Sequence, residues 1–127
     1  ERIRKSVGCE HTLDRDITAS SSVIIELYHV ATELIGRLKR SGFRGNTLTL
    51  KIKFYDFKQI TRSITQEKEL NEMKDILPLA KQLLKEVDYS IRPIRLIGLT
   101  VSHPKEEHEE HNEWKQLELE FAKLSEI

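Results

Sequence analysis

Between residues 46 and 55, Leu48, Leu50, Ile52 and Phe54 alternate strictly with Thr47, Thr49, Lys51 and Lys53. Successive side chains of an extended chain point to opposite sides, so this segment reads as a strand with one apolar face and one face of hydroxyls and lysines. Such a strand belongs in a sheet that has one face on a core and the other open to water.

The rest of the chain supplies the cover for that apolar face. Residues 6–13 read as a short strand with Val7, Cys9 and His11 on one side. Asp14, Arg15, Asp16 and the run Ser20-Ser21-Ser22 form a polar stretch rich in helix N-cap residues. Ile24, Leu27, Tyr28, Ala31, Leu34, Ile35 and Leu38 then recur at spacings of three and four, the stripe of a helix of about 18 residues. Ser41-Gly42 ends it, with Arg37, Lys39 and Arg40 in its last turns. Asp56-Phe57 begins a turn into a strand over 58–65, and residues 67–75 read as irregular or as a frayed helical start. Asp75 caps a second helix with Pro78 in its first turn and Ile76, Leu79, Ala80, Leu83 and Val87 as its stripe. A turn over 88–93 leads to a strand over 94–103. The order β-α-β-β-α-β predicts an α+β fold, a four-stranded sheet with two helices on one face, of the ferredoxin-like or split βαβ kind.

Charge divides the chain. The formal net charge is zero, which alone argues against a nucleic-acid binder. Residues 1–103 carry 18 Lys+Arg against 13 Asp+Glu, a net of +5, and residues 104–127 carry 3 against 8, a net of −5. From Arg37 to Thr65 the basic residues Arg37, Lys39, Arg40, Arg44, Lys51, Lys53, Lys58 and Arg62 face one acid, Asp56. Joined to an acidic tail, this stretch reads either as a phosphate-binding footprint or as a solvated basic surface. Residues 105–113 lack a core-forming pattern and read as a flexible tether, followed by the apolar segment Trp114 to Phe121, which suits docking of an extended peptide in a partner's groove. The only methionine is Met73, and the basic opening at residues 1–5 reads as an interdomain linker of a longer polypeptide. No apolar run approaches the ~18 residues of a membrane span. The single cysteine, Cys9, fits a reducing, cytoplasmic compartment.

Lys5-Ser6-Val7-Gly8 with Glu10 and Thr12 resembles the opening of the little-finger domain of Y-family translesion DNA polymerases. The stretch from Leu50 to Phe57 with Thr61-Arg62-Ser63 is similar to that domain's central hairpin, and Ile94 to Val101 to its final strand. Gln116-Leu117-Glu118-Leu119-Glu120-Phe121 resembles the peptide by which bacterial replication proteins bind the sliding clamp, here with Glu120 between the two apolar residues. The ordered set covers nearly the whole chain and is most similar to the DNA polymerase IV branch. The resemblance implies domains at 1–5 (linker), 6–103 (little finger) and 104–127 (tail). It implies an open sheet face riding in the DNA major groove and contacting phosphates of both strands. Lys5, Ser6 and Gly8 would do so from the first strand, Lys51 and Lys53 from the second, Lys58, Arg62, Ser63 and Thr65 from the third, and Arg95, Gly98 and Thr100 from the fourth. Gln116, Leu117, Leu119 and Phe121 would bind the clamp. The implied partners are duplex template-primer DNA, the bacterial sliding clamp and the catalytic core of the same polypeptide, with no membrane. Catalytic carboxylates and their magnesium are implied in a palm domain outside this chain, which itself holds no cofactor and performs no catalysis.

Other readings carry less. His103, His108 and His111 are irregularly spaced among glutamates, so no metal site is assigned. Cys9 reads as buried filler and not as a nucleophile. The alternative class is an RNA- or single-strand-binding βαββαβ module that stacks bases on Phe54, Tyr55 and Phe57, against which Phe54 has core parity.

Overall fold

A computed structural model describes residues 6–103; the expected linker with Lys5 and the tail with Gln116, Leu117, Leu119 and Phe121 lie outside the described residues. The elements run β1 (Ser6–Ile17), α1 (Ser20–Ser41), β2 (Thr47–Phe54), β3 (Gln59–Thr65), α2 (Met73–Leu84) and β4 (Ile94–Ser102). The strands lie in the order β1-β4-β2-β3 with every neighbouring pair antiparallel. It follows that β1 and β2 are mutually parallel with β4 between them, and β3 and β4 are parallel with β2 between them. Each helix is therefore the crossover of a split βαβ unit, and the two units interleave.

Alternation decides what each strand buries. Leu48, Leu50 and Ile52 lie in register with Val101, Leu99 and Ile97 of β4, which in turn face Val7, Cys9 and His11 of β1. All these apolar residues are buried, together with Val23, Leu27, Val30, Ala31, Leu34 and Leu38 of α1 and Ile76, Ala80, Leu83 and Leu84 of α2. Each such Leu, Ile or Val contributes about 1.5–3 kcal/mol on burial. Among the described residues no helix is long and apolar enough to cross a membrane.

Several details differ from the sequence expectation. β1 continues past residue 13, after a register irregularity between Thr12 and Ile17. The inner stripe of α1 uses Val23 and Val30, whereas Tyr28, a step of about 100° round the helix from Leu27, is 49% exposed. The serine run does not cap α1. Its N-cap is Ala19, and the Ser20 hydroxyl lies 3.0 Å from the Tyr89 hydroxyl instead. The second helix begins earlier than expected, with Glu72 as N-cap, so Asp75 is its third residue and Pro78 lies in the second turn. Val87 is buried but follows the helix.

Asp75 still serves the helix start, in reverse. Its carboxylate accepts the Glu72 backbone N–H at 3.3 Å and the Lys68 ammonium at 3.1 Å, one half of a capping box. Burial opposes the charged form, but the hydrogen bond and charge of Lys68 and the backbone N–H groups of Glu72 and Asn71 outweigh it and hold the carboxyl below its usual range.

On the other side of the domain Glu33 of α1 ties β1 down. Its carboxylate accepts the Cys9 thiol, lies 3.5 Å from His11 Nε2 and 3.3 Å from Arg37 Nη2. Arg37 Nη1 also donates to the Gly8 carbonyl at 2.7 Å. Burial first, and then the hydrogen bond to Glu33, push the Cys9 thiol up to about 12, while that same hydrogen bond, followed by His11 and Arg37, holds Glu33 below the usual carboxylate range.

Because Asp75 titrates low in the folded chain, the unfolded chain binds the proton first. The stability it contributes is complete above about pH 4 and is lost as pH falls through the folded-state value. Asp75→Asn is expected to cost about 0.5–2 kcal/mol at neutral pH and to flatten the fall of stability at acid pH, measured by urea unfolding across a pH series. An acid limb as steep as wild type would remove Asp75 from this role.

Candidate nucleic-acid interface

Register places the open face of the sheet in four rows. Reading β1, β4, β2 and β3 in turn, they are Ser6–Ser102–Thr47–Thr65, Gly8–Thr100–Thr49–Ser63, Glu10–Gly98–Lys51–Thr61 and Thr12–Leu96–Lys53–Gln59. The first two rows are almost wholly hydroxyl. Cross-strand pairs join Thr47 to Thr65 at 2.9 Å and Thr49 to Ser63 at 2.7 Å. The lower two rows carry the charge.

Gly98 sits between Glu10 and Lys51, and these two side chains pair across it, Lys51 Nζ to Glu10 Oε2 at 3.2 Å. A Cβ at Gly98 would lie 3.0 Å from the Glu10 Cβ, and one at Gly8 would lie 2.6 Å from the Thr100 hydroxyl. The furrow at Gly98 is thus bridged by an ion pair. Both partners are well exposed, at 35% and 52%, so the pair is worth no more than about 1 kcal/mol and Lys51 can exchange Glu10 for another anion.

One end of the face departs from alternation. Lys53 opposes Leu96 but the next residue, Phe54, opposes Ile94, so Arg95 is the extra residue of a bulge in β4. In a regular strand Arg95 would share the core parity of Ile97. The bulge instead brings its guanidinium carbon 4.9 Å from the centre of the Phe57 ring, with Lys53 Nζ 5.9 Å from the same centre. Phe57 is 65% exposed and holds a left-handed backbone, φ 68, in the turn between β2 and β3. Its N–H bonds the Phe54 carbonyl at 2.9 Å, and the Phe54 N–H bonds the Lys58 carbonyl at 2.9 Å. The backbone hydrogen bonds of the turn therefore hold a bulky residue in a conformation that favours glycine.

The structure brings most of the residues expected to contact DNA onto this surface. Ser6, Gly8, Lys51, Lys53, Ser63, Thr65, Gly98 and Thr100 occupy the rows; Arg95 joins them at the bulge, and Lys58 lies exposed in the turn just before β3. Arg62 does not share the face of Ser63 and Thr65. It is in register with Leu50, on the helix side, and its guanidinium donates to the Thr61 carbonyl at 2.9 Å at the exposed sheet edge. Thr47, Thr49 and Thr61 share the face without having been singled out, although the alternation with Leu48 and Leu50 already placed the first two there. Glu10 needed the strand order to be found. Phe54 is 1% exposed with Arg92 stacked 4.0 Å from its ring centre, so it offers no platform to a base.

The impB/mucB/samB family C-terminal domain model matches residues 4–119. The DNA polymerase IV of Bacteroides fragilis (strain YCH46) is 69% identical over 122 residues, covering 95% of this chain and 34% of that protein. The DNA polymerase IV of Akkermansia muciniphila is 53% identical over 120 residues, covering 94% and 33%. The chain thus spans about a third of the length of the curated relatives it matches. Among solved structures, a complex of the beta-clamp processivity factor and the little finger domain of PolIV superposes with a TM-score of 0.64 at 26% identity, covering 77% of this chain and 87% of that one. A chimeric Y-family DNA polymerase, alike in fold alone at 19% identity, has a TM-score of 0.66 over 80% of this chain and 29% of its own. With the family model matched over nearly its whole length, the chain belongs to the impB/mucB/samB C-terminal domain family, the little-finger domains of Y-family DNA polymerases.

Proposed function

We propose that the open face binds the sugar-phosphate backbone of duplex template-primer DNA in its major groove, without reading sequence. In this reading the chain is the C-terminal domain of a cytoplasmic translesion DNA polymerase. The carboxylates and magnesium ions of catalysis then belong to the core of the same polypeptide, outside these residues. The observation that carries the reading is that Lys51 and Lys53 share the sheet face away from the helices with the hydroxyls of Thr49, Ser63, Thr65 and Thr100, none of them buried. Lysines supply salt-sensitive attraction to phosphates and hydroxyls donate short hydrogen bonds, neither of which depends on base identity. Four strands set about 4.8 Å apart also make a face about as wide as the major groove, about 12 Å. Exposed Tyr55 and Phe57 would favour single-stranded RNA, but burial of Phe54 removes the central stacking platform of that alternative.

The tail adds a second attachment. Gln116 would hydrogen-bond at the rim of the sliding-clamp pocket while Leu117, Leu119 and Phe121 line or fill its apolar cleft. Tethering raises the effective concentration of this weak contact, which suits a polymerase that must arrive at a lesion and then leave. The clamp complex of a related little finger supports this reading.

Fluorescence anisotropy with duplex DNA should give an affinity whose logarithm falls linearly with the logarithm of salt. Lys51→Ala and Lys53→Ala should each lower that slope by about one. Salt-independent binding, or tighter binding of single-stranded RNA, would overturn the duplex reading. Glu10→Gln should tighten duplex binding roughly two- to fivefold at low salt, about 0.5–1 kcal/mol, because it removes the competing carboxylate from Lys51; weaker binding would mean that Glu10 helps the grip. Leu119→Ala with Phe121→Ala should abolish association with the sliding clamp while leaving duplex binding intact, and retained association would remove the tail from this role.

A further inference from the structure

The face of β1 opposite Glu10 and Thr12 carries a second cluster. Cys9 and His11, two apart on the strand, point to the same side, and Glu33 of α1 meets them there. The thiol sulfur, an imidazole nitrogen and a carboxylate oxygen all lie within 4.8 Å of one another. We propose that Cys9, His11 and Glu33 form a binding site for a zinc-class divalent ion, with water completing the coordination.

The donor set selects the class. Thiolate, imidazole and carboxylate together suit zinc and its neighbours among the transition metals, whereas magnesium and calcium take oxygen ligands. Tetrahedral bonds of 2.0–2.3 Å set ligand atoms about 3.3–3.8 Å apart, and His11 Nε2 stands 3.5 Å from Glu33 Oε2. Cys9 is buried, but the side chains of His11 and Glu33 are 31% and 43% exposed, so an ion can enter from solvent. Two further charged groups act on the cluster, Glu10 from the neighbouring position on β1 and Arg37, which shares the Glu33 oxygen. Its second anchor, the Gly8 carbonyl at 2.7 Å, keeps it placed when a metal takes that oxygen, leaving it to hold the carboxylate from outside. On binding, the Cys9 thiol loses its proton to solvent and the thiolate neutralises part of the ion's charge. The site joins the outer strand of the sheet to α1, and it stands whatever the open face binds.

Cys9 is the only cysteine, so thiolate ligation has an unambiguous reporter. Cobalt(II) titrated into the 127-residue chain should produce a thiolate-to-metal charge-transfer band at one ion per chain, and zinc should displace it and raise the unfolding temperature. Cys9→Ser should abolish the band, while His11→Gln and Glu33→Gln should each weaken cobalt binding by at least about tenfold. A chain with His108→Ala and His111→Ala should behave as wild type. Cobalt binding without a thiolate band, a Cys9→Ser chain that binds zinc as tightly as wild type, or a band that survives both His11→Gln and Glu33→Gln at full affinity would overturn the site.

Discussion

Because α1 and α2 both pack on the side of Leu48, Leu50, Ile52, Ile97, Leu99 and Val101, the sheet has one dry face and one wet face, and alternation then decides the destination of the strand residues wherever the pairing is regular. A slip of one position in β2 would drive Lys51 and Lys53 under the helices and put Leu50 and Ile52 into water. Lost burial at about 1.5–3 kcal/mol per residue, added to the cost of unpaired buried ammonium groups, rules that register out. The same register therefore builds the core and arranges the hydroxyls and lysines of the open face. Substitutions in the core strands would reach the candidate interface through pairing, without touching it.

Two of the breaks in regularity fall together. The β4 bulge at Arg95 and the left-handed turn residue Phe57 lie at the same end of the face, and Lys53 completes the group. Without the bulge, Arg95 would carry its charge toward Ile97 and the helices. With it, Ile94 reaches the core opposite Phe54 while Arg95 turns onto an aromatic plate that holds its guanidinium near Lys53. A local irregularity in one strand thus concentrates positive charge at the hairpin tip, where the regular rows alone would offer Lys53.

Much of this was legible in the sequence wherever period and parity were clean. The alternation from Leu48 to Phe54 fixed the face of Lys51 and Lys53, and Gly98 and Thr100 followed by counting in twos. Arg62, which the resemblance groups with Ser63 and Thr65 on the third strand, lies by parity on the other side, in register with Leu50. Other features depend on partners distant in sequence. The Glu10–Lys51 pair exists because β4 lies between β1 and β2, and the meeting of Cys9 with Glu33 depends on how α1 crosses β1; neither contact leaves a spacing to count. Helix starts were the weakest points. Ser20 and Asp75 looked like N-caps, but Ser20 bonds Tyr89 and Asp75 works from the third position of α2.

The residue types on the open face set the kind of recognition it can perform. Base edges are read most selectively by planar groups that bond at two points, such as Arg, Asn and Gln, although Lys, Ser and Thr also contact them. Here the rows hold lysines, which act as point charges, with Gln59 alone supplying an amide, on the outermost strand. The guanidinium at the edge, Arg95, is stacked on Phe57. With Arg95 and Lys58 counted beside Lys51 and Lys53, four cations on this surface are set against Glu10. The hydroxyls of Thr47 and Thr65, and of Thr49 and Ser63, pair with each other across the strands. On the function proposed above, such a surface would engage a duplex of any sequence through backbone contacts and not through a fit to one sequence.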